Sequence, residues 1–372
     1  MRETGKISAN QLFTIAFLMR IVIAITIDSR LVGGNNLLDL AVSGVLFLVL
    51  NLILILPTWF LHKKYPDLDI IDAAQFGLGK LGIAVAIVYA LYLLLMNGYS
   101  LSFFQLFMEN EVNPQTPVWM ISAAILITAC YGAFLGLEAI ARTGGFIFLA
   151  VCAGMLFLLV SLLPEIKGEN FVPLLYNGPE LTFQGVLLLL SRSAFYCVIP
   201  LLLPRTTGTM RLKYLIWNVS LSLFFIVMLL VVCGSLGPMA SLGIFPVYTA
   251  AALAQAGPFQ RLDAVYIGIW MMGLFLTLSL DLYLISFSIQ KVFGKKAGKI
   301  CMLSGAGLLV FASNAILLTT EMQRMLFRVE VILPFTVLVG ILLPGIVLIA
   351  ANRKEARNQR EPDHRKEIQN GK

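Results

Sequence analysis

Long apolar runs decide what this chain can fold into. They fall at about 11–28, 38–61, 81–107, 117–136, 144–164, 184–203, 213–237, 264–290, 299–319 and 329–351. A helix crosses the hydrocarbon core of a bilayer with about 20 mostly apolar residues. Lipid offers no water to the backbone, so each crossing segment must satisfy its own N–H and C=O groups. Barrel strands would alternate polar and apolar residues, and these runs do not. Only 13% of the 372 residues are charged, while 59% are hydrophobic, a balance that cannot cover a soluble surface. The expected fold class is an all-α integral membrane protein of about ten transmembrane helices. One transmembrane domain covers residues 1–351, with halves at about 1–165 and 166–351. Residues 352–372 read as a mobile, charged cytoplasmic tail.

The count of ten is tested by charge. The N-terminus carries Arg2 and Lys6 before an apolar run, as a signal peptide would. That run contains Arg20, and no small-residue cleavage site follows, so it reads as a retained first helix. With the N-terminus in the cytoplasm, 20 of the 27 Lys and Arg residues fall on inner segments and five on outer ones. Cytoplasmic loops carry such an excess, and one helix more or fewer would scramble it. Both termini are then cytoplasmic. Two loop segments, 67–78 and 245–256, read as helices that lie in the interface or pack over the bundle.

The polar inventory excludes most chemistry. The cysteines Cys130, Cys152, Cys197, Cys233 and Cys301 all fall in spans and form no CxxC, so they read as packing residues. The two histidines, His62 and His364, lie outside the spans, which argues against a histidine metal site or a Ser-His-Asp triad. No glycine-rich phosphate loop is present. The expectation is a protein that is not an enzyme, with no cofactor, no metal and no nucleic-acid partner.

Ionisable residues inside a bilayer are costly and face a cavity or a partner. Here they are Arg20 in the first span, Asp28 at its end, Arg192 in the sixth and Asp281 in the eighth. Ser191-Arg192-Ser193-Ala194 interrupts the sixth span, and Pro200 and Pro204 follow, so this helix is expected to break or kink. Helix ends freed at such a break can hold a carboxylate or an ammonium group. Gln11 and Arg20 in the first span are echoed by Gln184 and Arg192 in the sixth, as repeated halves would be. Tyr89, Tyr92, Met96, Tyr99 and Phe103 line one face of the third span, with Asn97 beside them. This stripe reads as bundle packing or as a ligand wall. Asp281 can pair with an arginine, stay protonated or couple to protons. Pairing is favoured, because two arginines lack an acceptor.

Three stretches carry a resemblance to a known family. They are Ile7-Ser8 with Gln11-Leu12-Phe13, then Gly136 to Arg142, then Phe245-Pro246-Val247-Tyr248 with Gln260 to Ala264 and Trp270. Tyr65-Pro66 also fits. In their order and spacing the chain resembles the GerAB-type spore germination permeases, the B subunits of nutrient germinant receptors. These belong to the amino acid-polyamine-organocation transporter superfamily. The resemblance implies a LeuT-like, five-plus-five inverted-repeat bundle with a site between helices 1, 3, 6 and 8. It implies an amino acid or similar small nutrient as ligand. It also implies a receptor A subunit and a lipoprotein C subunit as partners in the spore inner membrane. Superfamily members unwind helix 1 at glycines, but residues 11–28 contain none, and Arg20 or Thr26 would have to substitute. The candidate ligand-binding residues are Arg20, Thr26, Tyr92, Asn97, Tyr99, Ser191, Arg192, Ser193, Tyr196 and Asp281. The alternative reading is a proton-coupled amino-acid transporter of growing cells. Glu138 and Arg142, four apart, read as a local salt bridge.

Overall fold

Each of the ten apolar runs holds a helix in the computed structural model, which describes residues 5–26, 37–113, 115, 117–172, 175, 178–257, 261–317 and 328–370. In chain order these are α1 (Ala9–Ile25), α2 (Asp39–Leu54) running on as α3 (Leu56–Lys64), α4 (Ile70–Leu78), α5 (Gly82–Phe107), α6 (Val118–Leu135) and α7 (Leu137–Leu162). The second half holds α8 (Gly178–Ser191), α9 (Phe195–Leu202), α10 (Met210–Leu236), α11 (Pro246–Leu253), α12 (Asp263–Phe293), α13 (Lys295–Leu317), α14 (Val329–Val337) and α15 (Leu343–Asn370). By length and apolarity alone, six helical segments among the described residues can cross a membrane, and the bent pair α8–α9 adds a seventh. α1 and α6 are apolar but shorter. The chain is a multi-pass membrane protein.

The first helix starts where its sequence can cap it. Ser8 Oγ accepts from the Gln11 backbone N–H at 3.2 Å, and Gln11 Oε1 accepts from the Ser8 N–H at 2.9 Å. This reciprocal capping box satisfies two otherwise orphaned donors. It also gives the Ser8 and Gln11 pair a structural purpose. Just before it, Ile7–Ser8 (β1) pairs in parallel with Thr206–Thr207 (β2), tying the start of α1 to the chain leaving α9.

α12 is the centre of the bundle. Its most apolar window is 89% buried, against 22% for that of α7, which therefore lies at the lipid-facing rim. α12 packs on α1, α5, α6, α7 and α13. Its approach to α1 is close because Gly273 has no side chain: a Cβ there would stand 2.3 Å from Val22 Cγ2. Between α6 and α7 the chain turns at Gly136, whose φ of 92° a residue with a side chain rarely adopts. The Glu138–Arg142 pair forms at 3.5 Å on the surface, where it contributes little. The five cysteines are all unpaired.

The two expected loop helices both pack into the protein. Asp69 caps α4 by accepting from the N–H groups of Ile71 and Asp72 at 3.0 and 3.1 Å. Ile70, Ile71, Ala73 and Ala74 on α4 are fully buried. Lys291, at the end of α12, reaches both Asp69 and Asp72. On its other side α4 lies against α15, with the Gly77 position so close that a Cβ would come within 2.6 Å of the Ala351 nitrogen. α11 buries Val247, Tyr248, Ala250 and Ala251.

The segment expected to be a mobile tail begins differently. Helix α15 continues through residue 352, and Glu355 is held there by Lys64 at 2.8 Å and by the Tyr65 hydroxyl at 2.9 Å. Those hydrogen bonds hold the Glu355 carboxyl below the usual carboxylate range. The partners come from α3 and its cap, far away in sequence, so the tail's own composition gives no sign of them.

Lys291 therefore locks α4 to the core. Asp69 is 5% exposed and Asp72 is 37% exposed at the side chain, so the pair is only partly desolvated. Lys291→Met should cost about 3 kcal/mol, the low end for a broken buried pair. The expected readout is a fall of several degrees in the thermal midpoint of the purified protein. Adding Asp69→Asn and Asp72→Asn should recover much of it.

Candidate functional site

The sixth apolar run breaks where the sequence has Ser191-Arg192-Ser193-Ala194. α8 stops at Ser191, α9 begins at Phe195, and the two helices bend by 40°. The carbonyls at the end of α8 find partners at once. Leu188 O accepts from the Arg192 N–H at 3.2 Å and from Ser191 Oγ at 2.7 Å. Leu189 O accepts from Ser193 Oγ at 2.7 Å and from Arg20 Nη1 at 3.0 Å. Ser191 O accepts from Thr336 Oγ1 of α14 at 3.0 Å. The Thr336 proton is used there or on Ile332 O, so the Tyr92 hydroxyl, 2.9 Å away, donates to Thr336 Oγ1. The break is thus held by α1, α5 and α14 together.

Beside the break lies a narrow cavity with room for about one water molecule. Its charged lining is Arg20 from α1, Arg192 from the break and Asp281 from α12. Met19, Val22 and Ile23 of α1, Met96 and Ser100 of α5, Thr277 of α12, and Ala194 and Phe195 at the start of α9 form the rest of the walls. Among the described residues, no hydrogen bond takes the backbone N–H groups of Ala194 and Phe195, which stand at a helix start.

The expected pairing of Asp281 with an arginine is not formed. Asp281 is 1% exposed, its Oδ1 has no hydrogen-bond partner, and none of the described ion pairs includes it. The reason is that aromatic faces and a carbonyl take the arginines instead. The Arg192 guanidinium sits 4.0 Å from the centre of the Tyr99 ring. Arg20 sits 4.8 Å from the Phe47 ring and 5.8 Å from the Phe195 ring, besides donating to Leu189 O. Ring faces attract cations without themselves carrying a charge.

The other expected site residues divide. Tyr99 backs Arg192, and Ser191 and Ser193 cap the broken helix, so these three stand next to the cavity. Tyr92 serves Thr336, and Tyr89 serves Val339 O at 2.9 Å. Thr26 donates back to Val22 O at 2.8 Å and closes the end of α1. Tyr196 bonds Asn51 and belongs to a separate polar knot with Asn218 and Tyr214. Asn97 is fully buried with neither side-chain atom partnered, and it does not line the cavity. Asp28 lies outside the described residues. α1 runs unbroken from Ala9 to Ile25, as its lack of glycine suggests.

Sequence reasoning missed Thr277 and Ser100. Thr277 lies four residues before Asp281, one turn along the same helix face, and that spacing was the available signal. Ser100 follows Tyr99 but looks like an ordinary helix-packing serine.

Beyond Tyr99 lies a cluster of aromatic rings. Phe103 stacks on Tyr99 with centroids 5.8 Å apart. Phe107 meets Trp270 at 4.8 Å, Tyr248 at 5.0 Å and Phe245 at 5.1 Å. Tyr266 donates to Ile25 O at 3.0 Å, fastening α12 to the end of α1. Phe245, Tyr248 and Trp270 from the resemblance motif are therefore parts of one cluster.

The geometry joins one carboxyl, two guanidiniums and a helix start around one small cavity. The charge pattern matches a ligand with both a carboxylate and an ammonium group, and the cavity must widen to admit one.

The sequence matches the spore permease family, described as spore germination protein, over residues 6–322. YfkT of Bacillus subtilis (strain 168) is 23% identical over 262 residues, covering 66% of this chain and 70% of that protein. The spore germination protein YndE of the same organism is 22% identical over 281 residues, covering 73% and 75%. Among solved structures, a Na⁺-coupled sialic acid symporter in its substrate-bound outward-open state aligns with a TM-score of 0.60 and 12% identity. That alignment covers 94% of this chain and 90% of the symporter, so the two share the LeuT-like transporter fold.

The hydrogen bonds at the break can be tested alone. Thr336→Val removes the donor to Ser191 O and leaves that buried carbonyl short of a partner. The expected cost is about 1–3 kcal/mol, read as a lower thermal midpoint, while Thr336→Ser should stay near the unaltered protein.

Proposed function

Because the chain belongs to the spore germination permease family, we propose that it is the membrane subunit of a nutrient-germinant receptor, binding an amino acid or similar small zwitterion in the cavity beside the broken helix. The observation that carries this reading is Asp281. A buried carboxyl with an unpartnered oxygen faces the same cavity as Arg192. Burying an unpaired polar group costs free energy, and an ammonium group entering the cavity would remove that cost. Arg192 and the N–H groups of Ala194 and Phe195 are the donors for the carboxylate. Arg20 closes the far wall. The ligand would then bridge α12 to the hinge between α8 and α9. Binding of that kind favours one arrangement of the hinge over another, which is the requirement for a signal. In this reading Thr26, Tyr92, Asn97 and Tyr196 support the walls from behind.

The partners in this reading are a receptor A subunit and a lipoprotein C subunit, in the spore inner membrane. Both termini lie in the cytoplasm, as the charge asymmetry of the loops implies. The test is binding of an amino-acid panel to the purified chain in lipid nanodiscs. At least one amino acid should bind, and Asp281→Asn should weaken it by tenfold or more, about 1.5–3 kcal/mol for a lost charged hydrogen bond. Spores carrying that variant should lose their response to the same nutrient. Binding of no amino acid by the unaltered chain would sink the proposal.

A second reading, a proton-coupled amino-acid transporter, is favoured by the same carboxyl, which can take a proton when an ammonium group leaves. Uptake by proteoliposomes under a pH gradient separates the two. Flux abolished by Asp281→Asn supports transport, and binding without flux supports the receptor.

A further inference from the structure

Where α15 passes the end of α4, the two helices leave an open groove of about 600 Å³. We propose that this groove is a lipid site and that it takes the phosphate headgroup of an anionic phospholipid. The proposal does not rest on the nutrient site.

Two glycines make the groove. Gly77 lets α4 lie against the α15 backbone, where a Cβ would stand 2.6 Å from the Ala351 nitrogen. α4 then ends at Gly79, whose φ of 62° turns the chain away. A Cβ at Gly79 would meet nothing within 4 Å, so this wall is open. α15 runs on past the end of α4 and carries Arg353, Lys354 and Arg357 along the groove.

The charge there has one sign. No acidic residue lines the groove. Glu355, which lies between the cations in sequence, is engaged by Lys64 and the Tyr65 hydroxyl instead. Among the described residues no ion pair includes Arg353 or Lys354. Lys354 lies 5.5 Å from the centre of the Phe76 ring of α4, which leaves its charge in place. Arg353 and Arg357 are four apart on one helix, a spacing at which like charges repel. An anion between them removes that repulsion, and a guanidinium matches phosphate oxygens with two parallel N–H groups.

The helix face points to a lipid rather than a soluble anion. Ile346 and Ile349 of α15 are 47% and 54% exposed, as side chains that meet acyl chains are. Arg353 and Arg357 continue the same face, four and eight residues beyond Ile349. At 1.5 Å per residue they stand about 6 and 12 Å farther along the axis. The headgroup layer on each side of the hydrocarbon is roughly 5–8 Å deep. A lipid whose chains lie on Ile346 and Ile349 therefore brings its phosphate beside Arg353, and the long side chains of Lys354 and Arg357 reach it. A free phosphate would leave the apolar stripe unused. In the orientation proposed above this is the cytoplasmic leaflet, where basic clusters gather anionic headgroups. An occupied groove joins α15 to the end of α4, the helix that Lys291 fastens to α12.

The experiment titrates the purified full chain in neutral detergent with dioctanoyl phosphatidylglycerol, dioctanoyl phosphatidylcholine and glycerol phosphate. Native mass spectrometry counts the bound lipid, and the thermal midpoint reports its effect. Phosphatidylglycerol should stay bound and raise the midpoint, and the other two should do neither. Arg353→Gln should weaken phosphatidylglycerol about fivefold, the worth of one cation near an anionic lipid surface. Adding Lys354→Gln and Arg357→Gln should bring the loss to the order of a hundredfold. A control with Arg211→Gln, Lys296→Gln and Lys299→Gln removes as much exposed charge elsewhere and should bind as the unaltered chain does. Equal retention of the two lipids by the unaltered chain, or equal losses in the two triple variants, overturns the proposal. A midpoint gain from glycerol phosphate alone would make the occupant a soluble phosphate compound. Displacement of the lipid by a glutamate-rich peptide at lower concentration would make the groove a protein-docking site. Either result overturns the assignment to a lipid.

Discussion

The hydrogen bonds that close the break in the sixth helix hold the rest of the structure in place. A helix that stops inside a bilayer leaves carbonyls with no water to meet. Here Ser191, Ser193, Arg20 and Thr336 take them. These donors come from the break itself, from α1 and from α14. The break is therefore a joint between three parts of the bundle rather than a local defect.

Charge placement follows from this joint. The two intramembrane arginines are stabilised by ring faces and a carbonyl, and the one carboxyl opposite them is left without an ion pair. Direct Arg–Asp pairing would have given a stable but closed arrangement. Keeping the opposite charges apart around a cavity costs stability, which in the proposed reading a zwitterionic ligand returns.

Much of this was legible in the sequence, for physical reasons. Apolar runs long enough to cross a bilayer locate the helices. Ser191-Arg192-Ser193-Ala194 interrupts such a run, and the break falls there. Arg20, Arg192 and Asp281 stand out because the bilayer makes them expensive, and all three line the central cavity. What stayed hidden depends on pairs distant in sequence. Tyr196 looks like a site residue until Asn51 takes its hydroxyl. The start of the tail looks free until Lys64 and Tyr65 take Glu355. Pairing of Asp281 is favoured by sequence until Tyr99 and Phe47 take the arginines. Lys291 with Asp69 and Asp72 joins residues more than two hundred positions apart, and no local pattern announces them.

In the proposed binding mode Asp281 holds the ammonium group of the ligand and Arg192 its carboxylate. The most direct test compares three ligands on the unaltered protein and on Asp281→Asn: an amino acid that binds, its analogue without the amino group, and its analogue without the carboxylate. Asp281→Asn should weaken binding of the amino acid and its amine analogue but leave the affinity for the carboxylate analogue unchanged or improved. Equal weakening of all three would contradict it and make Asp281 a purely structural residue.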